Sequence, residues 1–288
     1  MIFIYDGMFD GFLSAVFDAY NKKITPLDIV SELSDFQMTL GGQYHHVHTS
    51  PEKVSRVSAG MTRIGDEFER RVLFAFYSNF PGREIAILRY IQLGLKVGSD
   101  VLDMLAHDTV RAVVDMARQT GRETHKLTGF LRFSVMESNA MYAEFEPTSN
   151  CLAFLMPHFV NRMQSIPFLI HDKTYGQVAF WDTTEWFIQS SEGLTIPPYH
   201  PDEMTYRRLW KCFYDSVAIE GRINHNLRRQ MMPKKYHKYL TELQWYGEES
   251  GTPAGIRESE VSGIISSSST PDCAMQLYPS TADAVPLP

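Results

Sequence analysis

The apolar side chains change their repeat near His125, and that change decides which class of fold is open to this chain. Before it, Phe9, Phe12, Leu13, Val16, Phe17 and Tyr20 recur at three- and four-residue spacing, the signature of one buried helical face. Thr49-Ser50-Pro51-Glu52 reads as a helix start, with a capping hydroxyl, Pro at the first turn and Glu placed for a capping box. Val54, Val57, Met61 and Ile64 continue that helix, and helical stretches follow at about 68–80, 84–96 and 100–120. Ahead of them, Ile2–Tyr5 is a short apolar strand closed by Asp6-Gly7.

After His125 the pattern is that of strands. Residues 130–135 and 141–145 read as a hairpin about Ser138-Asn139, and 168–171 with 177–181 as a second about Asp172-Lys173. Between them Asn150 is placed to cap a helix carrying Leu152, Leu155, His158 and Phe159, which Pro157 should kink or shorten. The expected fold is therefore α+β: a helical N-terminal half, a small antiparallel sheet arranged hairpin–helix–hairpin, and a helical C-terminal segment. One domain is expected over 1–246, helical to about 125, sheet over 126–200 and basic helical over 201–246. Residues 247–288 contain 24 Gly, Ser, Pro, Thr or Ala in 42, too little apolar surface to offset chain entropy, and read as a disordered tail.

Net charge is −7, which on its face argues against nucleic acid and membrane surfaces. The distribution reverses that reading. Residues 204–240 hold nine Lys and Arg against Asp215 and Glu220, a net of +7, while residues 1–203 sum to −8. The cations Arg207, Arg208, Lys211, Arg222, Arg228, Arg229, Lys234 and Lys235 alternate with Tyr206, Trp210, Phe213, Tyr214, Tyr236 and Tyr239. Cations neutralise phosphates and aromatic faces stack on unpaired bases, a pairing suited to single-stranded or distorted nucleic acid. The competing reading is a solvated basic helix whose aromatics face the core.

Three cysteines, Cys151, Cys212 and Cys273, stand far apart with no C-x-x-C pair, which excludes a zinc ribbon and fits reduced thiols. No signal peptide and no apolar run long enough to span a bilayer is present, so the chain reads as cytoplasmic with no membrane contact. Phosphate-loop, dinucleotide, zincin and nucleophile-elbow motifs are all absent, and no cofactor is implied. His46 and His48 would share a face of a strand and are the one metal-ligand candidate, without a partner carboxylate or cysteine at ligand spacing. A denser polar set comprises His125, Arg132, Glu144, Glu146, His158, Arg162, His171 and Asp172. These are candidates for general acid–base work, though Arg132 with Glu144 or Glu146 is equally a cross-strand ion pair.

The ordered motifs resemble a bacterial family of DNA metabolism or repair proteins. They begin with Tyr5-Asp6-Gly7 and Phe9-Asp10-Gly11-Phe12, then His125-Lys126-Leu127-Thr128-Gly129-Phe130-Leu131-Arg132-Phe133. Tyr142-Ala143-Glu144-Phe145-Glu146-Pro147, Pro157-His158-Phe159, Ile170-His171-Asp172 and Arg228-Arg229-Gln230-Met231-Met232-Pro233 complete them. The resemblance implies DNA repair or modification beside a radical-SAM partner, in a family also found fused to uracil-DNA-glycosylase-like domains. It assigns no chemistry to this chain, so a DNA-directed enzyme using the 125–172 pocket and a non-catalytic adaptor both stay open.

Overall fold

Strand β1 (Ile2–Tyr5) carries Phe3, Ile4 and Tyr5, all buried, as expected of a central parallel strand covered on both faces. Its neighbours are β2 (Asp28–Ser31) and β3 (Tyr44–His46), both parallel to it, in the order β2-β1-β3. Gly7, at φ +84°, turns the chain out of β1, and a side chain there would meet Ser31 Oγ at 2.6 Å. The computed structural model describes residues 1–34, 36, 41–222 and 224–244. The expected tail at 247–288 lies outside the described residues.

Helices α1 (Phe9–Asn21), α2 (Pro51–Thr62), α3 (Asp66–Phe76), α4 (Arg83–Val97) and α5 (Asp108–Phe130) enclose the first core with this sheet. Phe68 stacks on Tyr90 at 4.5 Å between α3 and α4. Gly94 permits the approach, since a Cβ there would lie 2.5 Å from the Phe68 ring. The helix start at Pro51 is present, but Ser50 makes no side-chain capping bond. The hydroxyl of Thr49 is spent elsewhere, donating to Asp6 Oδ2 at 2.6 Å.

The second sheet corrects the hairpin–helix–hairpin expectation. Helix α5 continues to Phe130, so only Ser134–Val135 (β4) of the expected first strand joins a ladder. Strands β5 (Met141–Phe145) and β6 (Phe168–Asp172) are joined by α6 (Leu152–Arg162) and pair in parallel, Glu144 opposite His171. A helical crossover brings the chain back to the same end of the sheet, so its two flanking strands run in one direction. Strands β7 (Gln177–Trp181) and β8 (Trp186–Ser190) extend it antiparallel, in the order β4-β5-β6-β7-β8. The sheet is mixed rather than antiparallel. Pro157 stands inside α6, which runs to Arg162, and the N-cap is Cys151 rather than Asn150.

Alternation sorts the two faces of this sheet. Ala143, Phe145, Phe168, Ile170, Ala179 and Trp181 pack with Leu152, Leu155, Met156 and Phe159 of α6. Tyr142, Glu144 and His171 belong to the other face. The C-terminal region is broken into α7 (Glu203–Ser216), α8 (His225–Met231) and three 3₁₀ turns at Glu220–Arg222, Lys234–Tyr239 and Thr241–Leu243. Pro233 closes α8 by withholding the N–H that another turn would need.

Candidate functional site

Three buried carboxylates tie the C-terminal region to the sheet and to α5. Glu203 on α7 accepts from Arg207 Nε at 2.7 Å and from the Val135 N–H at 2.9 Å, and Arg207 also reaches Ser134 Oγ at 2.5 Å. Glu242 receives Arg132 through Nε at 3.1 Å and Nη2 at 2.6 Å, and Trp210 Nε1 at 3.2 Å. Glu123 on α5 accepts from Lys235 at 2.6 Å, Tyr236 Oη at 2.5 Å and the N–H groups of Thr148 and Ser149 at 2.8 Å. Burial pushes the Glu123 carboxyl up, but Lys235, Tyr236 and the two N–H donors outweigh it and bring the pKa down to about 2.

These ties frame a cleft of about 170 Å³ lined by Arg132, Ser134, Tyr142, Glu144, Tyr199, Arg207, Lys238, Tyr239, Thr241 and Gln244. At its sheet side the Tyr142 hydroxyl sits 2.9 Å from His171 Nδ1 and donates to Glu144 Oε2 at 3.3 Å. Lys173 approaches the same Oε2 at 3.5 Å. Burial, then the Glu144 charge, pushes the Tyr142 phenol well above its ordinary value, so it acts as a donor and not a base. Burial also lowers the His171 pKa, against the pull of Glu144, which favours the neutral ring. Tyr199 spreads its ring against the Arg207 guanidinium, 4.9 Å from the ring centre.

The acid–base candidates therefore fall into separate places. Arg132, Glu144 and His171 meet at or beside the cleft. Glu146 lies further along β5's exit, ion-paired with Lys238 at 2.6 Å. Asp172 is buried: Oδ1 accepts from the N–H groups of Thr174 and Tyr175 at 2.9 and 3.0 Å, while Oδ2 has no partner among the described residues. Burial pushes its carboxyl up to about 6, the two N–H donors only partly opposing. His125, His158 and Arg162 form an exposed group on α5 and α6, where burial, then Arg162 and His125, lower the His158 pKa. No carboxylate within 4.0 Å joins that group among the described residues. His46 faces Glu32 at 3.5 Å, and β3 ends at His46, leaving His48 off the strand. Among the described residues no three His, Cys, Asp or Glu converge as metal ligands.

The basic segment divides as well. Arg207 and Lys235 are spent on Glu203 and Glu123, Lys211 pairs with Asp215 one turn on, and Arg228 approaches His225 Nδ1 at 3.2 Å. Arg208, Arg222, Arg229 and Lys234 are exposed. The aromatics of α7 do not enter the core. Tyr206, Trp210 and Phe213 share one face at i, i+4 and i+7 and are 56%, 43% and 55% exposed. Tyr236 alone of the interleaved aromatics joins a hydrophobic core. Sequence reasoning passed over Glu123, Tyr142, Tyr199, Glu203 and Glu242. Beside local partners such as Arg207 for Glu203, they meet groups up to 113 residues away, which no local pattern expresses.

No curated protein and no solved structure matches the chain. One family model matches residues 81–242, more than half of the sequence, from the residues before α4 to the 3₁₀ turn that carries Glu242. Its description is a domain of unknown function, DUF4130. The matched span contains the whole cleft-bearing sheet and α7, and the chain belongs to this DUF4130 family.

Proposed function

We propose that the protein binds single-stranded or distorted nucleic acid through the surface of α7 and α8. The observation that carries this reading is the exposed row Tyr206, Trp210 and Phe213 inside a segment of net charge +7. Large aromatics left in water at helical spacing are uncommon without a partner surface. Each stacked base contributes about 1–3 kcal/mol, and the exposed Arg208, Arg222, Arg229 and Lys234 of the same segment supply phosphate contacts. The −8 body turns the same strand away elsewhere, which fixes its orientation. The family resemblance puts this activity in DNA repair or modification, with a radical-SAM protein as companion. A role for Glu144 and His171 in a DNA-directed reaction is the enzymatic form of the proposal.

A second reading, docking of a partner protein, is favoured by further exposed apolar side chains in the same segment. Val217, Ile219, Leu227 and Met231 are 57%, 57%, 55% and 66% exposed. Fluorescence anisotropy with a labelled single-stranded oligonucleotide separates the two. The double variant Tyr206→Ala/Phe213→Ala should bind at least about tenfold more weakly than the parent. Unchanged affinity in a variant of parental stability would refute strand binding by this face.

A further inference from the structure

The cleft beneath α7 is too small for a drug-sized ligand or a dinucleotide, which occupy roughly 300–1,000 Å³. Its chemistry also argues against a free anion. Arg132, Arg207 and Lys238 each already face a carboxylate, Glu242, Glu203 and Glu146 respectively, so the three cations offer no surplus charge. What remains is polar and accepting. Tyr142, Tyr199 and Tyr239 stand in its wall, and Tyr199 is 46% exposed. Both contacts to Glu144, from Tyr142 and Lys173, fall on Oε2, which leaves Oε1 with no partner among the described residues.

We propose that this cleft is a subsite for one unstacked nucleobase, with Glu144 Oε1 accepting from an exocyclic amine and the Tyr199 ring supplying an aromatic surface. A carboxylate reads the amino group of cytosine, whereas N3-methylthymine has no N–H on its base edge for an accepting oxygen to receive. The preferred bases are therefore those that present an N–H donor, as the amine of cytosine does. Bases extruded into protein pockets are held by such edge hydrogen bonds together with stacking on side chains. Glu242 links the cleft to the α7 row, since it accepts from both Arg132 in the wall and Trp210 on the exposed face. A strand passing over Trp210 would thus present its next base at the cleft mouth. The proposal rests on the nucleic-acid reading for delivery of the base, and the subsite itself is testable without a strand.

Uncharged nucleosides serve as the probe. The full-length protein is titrated with cytidine and with N3-methylthymidine by ligand-observed NMR, beside Tyr199→Ala, Glu144→Gln and Tyr206→Ala. Cytidine should bind in about the millimolar range, with N3-methylthymidine about tenfold weaker. Tyr199→Ala should weaken cytidine about fivefold or more, Glu144→Gln should erase the preference for cytidine, and Tyr206→Ala should leave both unchanged. Tyr199 is half-exposed, so its removal spares the core. Failure of both nucleosides to bind, or binding that ignores Tyr199→Ala and Glu144→Gln, overturns the subsite. If the parent in that case still binds a single-stranded oligonucleotide, the α7 reading survives alone. Nucleoside binding with the predicted preference in a protein that ignores oligonucleotides would uphold the subsite and refute the strand surface.

Discussion

Replacing Glu123 with Gln tests how the C-terminal segment is held in place. Glu123 is 7% exposed and collects four donors from two parts of the chain: Lys235 and Tyr236, and the N–H groups of Thr148 and Ser149. Its pKa falls from 4.5 to about 2, so the folded state favours the charged form by about 3 kcal/mol. Glutamine keeps the shape but loses the charge, and its amide nitrogen must face at least one N–H donor. Glu123→Gln should therefore cost about 3 kcal/mol at pH 7, read as a lowered midpoint in urea unfolding followed by circular dichroism. A carboxyl whose folded pKa is depressed stabilises above its unfolded pKa and loses that contribution as pH falls through the folded one. The gap between parent and variant should thus be full above about pH 5 and close steadily towards pH 2. A variant matching the parent at pH 7, or a gap independent of pH, would refute the claim that this carboxylate anchors the segment.

Asp172 should show the opposite sign. Its carboxyl is raised from 3.8 to about 6, so its charge opposes folding above pH 6 and this cost disappears as pH falls towards 4. Asp172→Asn should stabilise the protein by about 1–3 kcal/mol at pH 8 and by little at pH 4, measured by the same unfolding experiment. Cys151 is fully buried and burial raises its thiol pKa, whereas Cys212 lies exposed on α7. Brief iodoacetamide treatment of the native protein, read by peptide mass spectrometry, should label Cys212 and spare Cys151 until denaturant is added.

The features legible from sequence are those whose partners are close in the chain. β1, α1, α2 and the β6–β7 hairpin announce themselves through local repeats and turn residues. The short strand β2 does not, because a four-residue parallel strand shows too little alternation to register, and β3, read only through its histidines, ends at His46. β8 escapes for a different reason. It is an edge strand with four of five residues exposed, and its apolar residues Trp186, Phe187 and Ile188 run consecutively instead of alternating with polar ones. Phe133 reads as a strand residue but works as a core plug, packing against Phe159 and Phe168 after α5 ends. The parallel pairing of β5 and β6 follows from the α6 crossover, a constraint of topology that no local spacing expresses.

The same division holds for the site. Arg132, Glu144 and His171 stand out as chemistry-bearing residues near one another in sequence, and the fold brings them to one region. Charge counting cannot distinguish cations that face water from cations that close the fold. Arg207 and Lys235 look like phosphate ligands in the sequence, yet they meet Glu203 and Glu123. Burial of Glu242 against Arg132 and Trp210 likewise converts an apparent surface acid into a joint between α7 and the cleft. Helical spacing of Tyr206, Trp210 and Phe213 fits a core-facing stripe as well as an exposed one, and only the fold decides between them.

The central claim is that α7 and α8 hold a nucleic-acid strand, and the salt dependence of binding addresses it most directly. Four exposed cations, Arg208, Arg222, Arg229 and Lys234, engaging phosphates of a single strand predict a slope of about −3 in log K against log salt. The charge-reversed Arg208→Glu/Arg229→Glu protein should bind more weakly and with a slope shallower by about one to two. No affinity at low ionic strength, or an affinity that ignores salt in both proteins, would contradict it.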